Sequence, residues 1–143
     1  FSAAKNRDNP VLREAWKPIF DKHRVDLVLQ GHDHTYARSG LVGTQNTDTG
    51  VTGQDGSGTV YVVSVSGPKM YPLGGATRAE FRRVAEDTQL FQVISIDGDE
   101  LRYQAKTAAG RLYDGFTLRK RENAANELIE QAPETPARLR GQP

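Results

Sequence analysis

Two of the chain's three histidines stand two positions apart in Gly31-His32-Asp33-His34-Thr35-Tyr36, directly after the apolar run Val25-Asp26-Leu27-Val28-Leu29-Gln30. Neutral imidazole is the commonest nitrogen ligand of zinc- and iron-class ions, so the chemistry indicated is metal binding. In an extended segment side chains alternate, which would send His32 and His34 to one side and Asp33 to the other. Gly31 permits a backbone conformation closed to other residues, useful where a strand turns sharply into a site. A His-x-His pair also arises by chance on surface turns. Here the strand before it, the glycine and the scarcity of histidine favour ligation, although two ligands alone do not hold a catalytic metal.

The elements that must position this pair are legible nearby. Asn9-Pro10 reads as a helix N-cap with proline in the first turn. Leu12, Trp16 and Phe20 recur every four residues, with Ala15 and Ile19 beside them, so a helix is expected to about Lys22 with Trp16 in the core. Pro18 lacks the donor for the bond to Glu14, which predicts a kink or a division near Lys17. Val25 to Gln30 reads as a short strand covered on both faces. Helix, buried strand and functional loop at the strand's C-terminal end make an α/β arrangement.

Further along, Leu41 to Gly58 is rich in glycine and polar residues and reads as a long surface loop. Thr59 to Val65 is a strand ending at Gly67-Pro68. A short helix is expected around Arg78 to Ala85. Leu90–Ile96 and Leu101–Thr107 form a hairpin through Asp97-Gly98-Asp99-Glu100, and Arg111–Tyr113 with Phe116–Leu118 add an edge strand. Residues 121–143 read as a polar tail, helical to about Gln131 and then disordered.

At 143 residues, with 36% hydrophobic and 26% charged content, the chain has the length of one soluble domain. A formal charge of +1 gives no reason to expect nucleic acid as partner. Without cysteine, any metal must be held by nitrogen and oxygen. No apolar run approaches the roughly 20 residues of a membrane span, and no signal-peptide pattern opens the chain. Its start at Phe1 rather than Met reads as a fragment or a processed product.

The segment from Val25 through Gly31-His32-Asp33-His34-Thr35-Tyr36-Ala37-Arg38-Ser39 resembles the closing GHxH motif of the calcineurin-like metallophosphoesterases. It is most similar to the purple-acid-phosphatase branch, where the motif continues with an aromatic and an arginine. The resemblance extends loosely to Phe1-Ser2, the helix, Gly58-Thr59-Val60-Tyr61 and Leu112-Tyr113-Asp114-Gly115-Phe116. It implies an α/β fold in which residues 1–120 are the C-terminal part of a four-layer α/β/β/α sandwich ending in mainly antiparallel strands. It also implies two divalent or mixed-valence ions (Fe, Zn or Mn), His32 on one and His34 on the other, with metal-bound hydroxide attacking a phosphate ester. Two ions roughly 3.5–4 Å apart can clamp a phosphate between them.

The earlier DxH, GDxx(D/Y) and GNH(D/E) motifs of that family are not in this sequence, and a further histidine ligand would fall before Phe1. The expected partner is therefore a missing N-terminal part of the catalytic domain, with the isolated chain inactive and the parent exported. The histidine that protonates the leaving group in many relatives has no counterpart in Lys5-Asn6-Arg7-Asp8-Asn9, where Arg7 or Lys5 could meet phosphate or simply be solvated. Asp33 reads as a support for the ligands or as a turn residue. Tyr36 and Arg38 read as pocket residues or as an ordinary aromatic with an ion-pairing neighbour. Met70 and Tyr71 read as site lining or loop packing, and His23 as a solvated residue at the helix end. A different class also fits: a non-enzymatic β-rich binding module whose GHDH loop holds metal weakly or not at all.

Overall fold

The computed structural model describes residues 2–42, 58–74, 81–122, 124 and 126–141. Asn9 caps helix α1 (Pro10–Lys22), its side-chain oxygen accepting from Leu12 N at 3.2 Å. The helix is not divided at Pro18. The turn beyond proline keeps its own bonds, His23 N to Ile19 O at 3.0 Å among them, and a 2.6 Å Lys17–Asp21 ion pair ties that turn to the residue before Pro18.

Eight strands follow: β1 (Leu27–Gln30), β2 (Tyr36–Val42), β3 (Thr59–Val63), β4 (Arg83–Ala85), β5 (Leu90–Asp97), β6 (Glu100–Thr107), β7 (Leu112–Arg119) and β8 (Glu127–Glu130). They form two four-stranded sheets, β1-β3-β2-β4 and β5-β6-β7-β8. The second is antiparallel throughout; in the first, β1 lies parallel to β3. The described residues are thus mostly strand with one helix, and the α/β character is confined to α1, β1 and the parallel pair.

The sheets share one core. Tyr36, Val60, Val62 and Ala85 of the first sheet meet Tyr103, Ala105, Tyr113, Phe116 and Leu118 of the second, with Leu90 beside them. A smaller cluster of Ala3, Ala37, Leu73 and Val84, with Phe81 and Leu139 packed against it, ties the N-terminal segment to the opposite face of the first sheet. Gly58 lies so close to β2 that an added Cβ would sit 2.6 Å from Leu41 Cβ.

Several expectations are corrected. Leu29 is 54% exposed and Trp16 52%, so neither the strand nor the helix is covered on both faces; β1 is an edge strand, and nothing among the described residues lies beyond it. Of the expected short helix, residues 78–80 lie outside the described residues and Arg83–Ala85 is a strand. Pairing with Tyr36–Arg38 decides this, as Val84 and Ala85 gain burial on opposite faces. Arg83 is buried against the Tyr113 ring, its guanidinium 4.4 Å from the centroid, and donates to Thr135 O at 2.7 Å.

Strand β7 is interior rather than an edge, because β8 pairs along its other side where a helix was expected. The described residues beyond β8 are anchored: Arg138 N donates to the Tyr113 hydroxyl at 3.0 Å, and Arg140 N to Glu86 at 2.6 Å. The hairpin forms as expected, Asp97 facing Glu100 across a turn with Gly98 at φ 54°. Most of the expected surface loop, residues 43–57, lies outside the described residues, while Leu41 and Val42 belong to β2.

Candidate metal and anion site

Because β1 and β3 run parallel, the segments that follow them leave the sheet at the same end, which is where such sheets carry their sites. Ser64 N bonds to Gln30 O at 3.1 Å at that end, and Tyr71 N to His34 O at 3.1 Å. The N-terminal segment joins them through Lys5 N to Pro72 O at 3.0 Å and Gly74 N to Ala3 O at 2.9 Å. Residues 2–7, 31–35 and 69–73 therefore form one surface.

The GHDH loop is not extended. His32 and His34 both have positive φ, 75° and 52°, a region uncommon for residues with a Cβ, whereas Gly31 does not and an added Cβ there would meet nothing within 4 Å. Strand alternation therefore does not set the directions of these side chains. Asp33 points inward: it is buried and accepts from Ser2 Oγ at 2.5 Å, Ala3 N at 2.7 Å and Ala4 N at 3.2 Å. That carboxylate pins the N-terminal segment beneath the loop and leaves the imidazoles on its outer side.

Each imidazole has a defined neighbour. His34 Nδ1 donates to Lys69 O at 2.8 Å, the arrangement that fixes a tautomer with Nε2 left for a ligand. His32 Nε2 accepts from the Arg7 guanidinium, so the lone pair a metal would need already faces a cation. Tyr71 packs against His34 with ring centroids 4.8 Å apart. The Arg7 guanidinium and the Lys69 ammonium stand 5.1 and 5.3 Å from the centroid of that same Tyr71 ring. The Lys69 hydrogen bond, with Arg7 nearby, holds the Tyr71 hydroxyl below the usual phenol range.

Two imidazoles alone do not hold a metal centre. Among the described residues no group of three His, Asp or Glu side chains converges. No family model matches the chain. It is 28% identical over 124 residues to a protein of Arabidopsis thaliana named probable inactive purple acid phosphatase 1, covering 78% of this chain and 19% of that protein. It is 51% identical over 39 residues to an uncharacterized protein of Mycobacterium tuberculosis, matched in two strains, covering 27% of this chain and 7% of the relative. The chain spans less than a fifth of the length of each.

Tyr36 and Arg38 lie behind the loop, in the core between the sheets. The Tyr36 hydroxyl donates to Asp114 at 2.6 Å, and the phenol is held well above its ordinary range by burial and then by Tyr103 and Asp114. Arg38 bonds Asp114 and Glu130; burial alone would weaken its hold on its proton, and the two carboxylates more than reverse that. Their reach to the histidines is through the backbone of β2.

Tyr71 and Lys69 stand closer to the histidines than the sequence suggests, and Ser2 bonds Asp33. The signal for the first two lay in Gly67-Pro68 at the end of a strand, but only the parallel pairing of β3 with β1 brings that segment to the histidines. Beside His32, an open groove of about 730 Å³ runs between α1 and β1, with Leu12, Trp16, Phe20, Val28 and Tyr61 in its lining.

Proposed function

We propose that this chain is the C-terminal part of a phosphoric ester hydrolase with a binuclear metal centre, in which His32 and His34 hold one ion each. The observation that carries the reading is the pair of outward imidazoles on a loop locked from beneath by Asp33, at the shared end of the parallel strands β1 and β3. The likeness to a protein named for a purple acid phosphatase supports it. In this reading residues 1–120 and β8 belong to a four-layer sandwich whose remaining layers, with the other ligands, come from an N-terminal part, and that part covers the exposed faces of α1 and β1.

The ions, when bound, supply Lewis acidity toward the phosphoryl oxygens and a water activated at neutral pH. The chain's residues orient and neutralise. The Lys69 carbonyl holds His34 in one tautomer, and Asp33 keeps both imidazoles in register. Arg7, released from His32 when that nitrogen binds metal, is placed to receive a phosphoryl oxygen, for which a guanidinium fork is well suited.

A second reading is favoured by two observations, the word "inactive" in the plant relative's name and the want of a third ligand among the described residues. In it the same loop belongs to a non-catalytic binding module. The deciding experiment assays the natural polypeptide containing this chain with p-nitrophenyl phosphate and Zn, Mn or Fe. Hydrolysis lost by at least 100-fold in His32→Ala and His34→Ala supports the hydrolase, with no turnover from residues 1–143 alone. Absence of hydrolysis by the natural polypeptide with every metal supports the binding module.

A further inference from the structure

Arg7 and Lys69 are placed as though to receive charge. Both stand against the Tyr71 ring, and among the described residues neither has a carboxylate within ion-pair distance. Elsewhere the basic side chains are commonly neutralised: Arg13 by Asp8, Lys17 by Asp21, Lys120 by Asp26, Arg140 by Asp87. Two cations on one ring, neither paired with a carboxylate among the described residues, with His34 packed on the same ring and His32 bonded to Arg7, form a positive rim at the shared end of β1 and β3. The two differ in placement: Arg7 touches His32, while Lys69 reaches the ring from the far segment and uses its carbonyl to hold His34.

We infer that Lys69, set by Tyr71, is a specificity residue for substrates carrying a second anionic phosphate next to the one that is hydrolysed, and that Arg7 and Lys69 divide the two phosphates between them. The inference rests on the phosphoesterase reading and names its substrate class. A single phosphate satisfies Arg7 and the imidazole end. A second phosphate on the same molecule reaches the Lys69 ammonium without moving the first, and Tyr71 keeps that ammonium from folding away by cation–π contact. The discrimination is electrostatic, so it weakens as salt rises.

The test titrates residues 1–143, freed of metal by chelation, with inorganic phosphate and with methylenediphosphonate, following backbone amide shifts. Circular dichroism spectra verify that each variant is folded. The expected result is binding of the bisphosphonate at least 10-fold tighter than phosphate, with shifts at residues 69–71. Lys69→Ala is expected to cut that ratio to about 2 or less and Lys69→Arg to keep most of it, while Lys120→Ala, remote from the rim, leaves it unchanged. Equal affinity for the two anions, or an unchanged ratio in Lys69→Ala, overturns the inference. The natural polypeptide separates this from the parent reading. Hydrolysis of p-nitrophenyl phosphate with no preference for a bisphosphorylated ester leaves the hydrolase standing and removes the role of Lys69. The anion preference without hydrolysis does the reverse.

Discussion

Arg38 on β2 and Asp114 on β7 meet at two points, Nε to Oδ2 at 2.7 Å and Nη2 to Oδ1 at 2.9 Å, with both side chains almost wholly buried. The pair is the polar joint between the two sheets, and the strand it fixes is the one that leaves the GHDH loop. Glu130 on β8 takes the other edge of the guanidinium, with Nη2 to Oε2 at 2.6 Å, and the Tyr36 hydroxyl shares Asp114.

Removing Asp114 leaves the buried Arg38 guanidinium with Glu130 as its one carboxylate among the described residues, and Nε with no acceptor. Asp114→Ala is expected to cost about 3–5 kcal/mol in urea unfolding. Replacing the group by apolar side chains, as in Arg38→Met with Asp114→Leu and Tyr36→Phe, should recover more than half of that loss, since the two buried charges are then removed together. If the triple variant is no better than Asp114→Ala, the joint does more than balance its own burial.

Asp33 accepts three bonds from the N-terminal segment, two of them from buried amides. Asp33→Ala should cost about 2–4 kcal/mol because those donors are left without an acceptor. It should also weaken phosphate binding, as the backbone that carries Arg7 is pinned by Asp33, and Asp33→Asn should restore part of both. Stability lost without any change in phosphate affinity would mean that Arg7 is positioned independently of Asp33.

Four of the five tyrosines hold their protons above the ordinary phenol range. Burial is the largest cause for each, and Tyr61 is pushed up to about 12. In the unfolded chain they ionise near pH 10, so above that pH the folded state binds more protons than the unfolded one. This contribution to stability is fully present below about pH 10 and falls as pH rises from about 10 through 12 and beyond. Urea midpoints at pH 8, 10 and 11, with tyrosinate absorbance at each, should show a decline that begins near pH 10. A flat profile to pH 11.5 would refute it.

What the sequence disclosed and what it hid differ in physical kind. The Asn9-Pro10 cap, the Gly98 hairpin and the β5–β6 alternation are local signals, settled by residues a few positions apart. Strands β4 and β8 are not local: Arg83–Ala85 and Glu127–Glu130 take strand form because β2 and β7 offer them edges. Tyr36 and Arg38 follow the histidines directly in sequence, yet Asp114 and Glu130, far along the chain, draw both side chains into the core. Lys69 and Tyr71 were hidden for the same reason, since their nearness to His34 depends on a pairing between strands some thirty residues apart.

The first sheet has two unlike margins. Beside β4, the segment at Arg138 already makes a parallel bridge with Ala85, so that side is closed by the chain itself. Beside β1, the backbone of Leu27–Gln30 faces outward with no strand next to it among the described residues. Among the described residues the sheet is therefore open on the β1 side, and a strand added there would arrive on the flank of the GHDH loop. Any group delivered at that strand's matching end would meet His32 and His34 without rearranging the joint between the sheets.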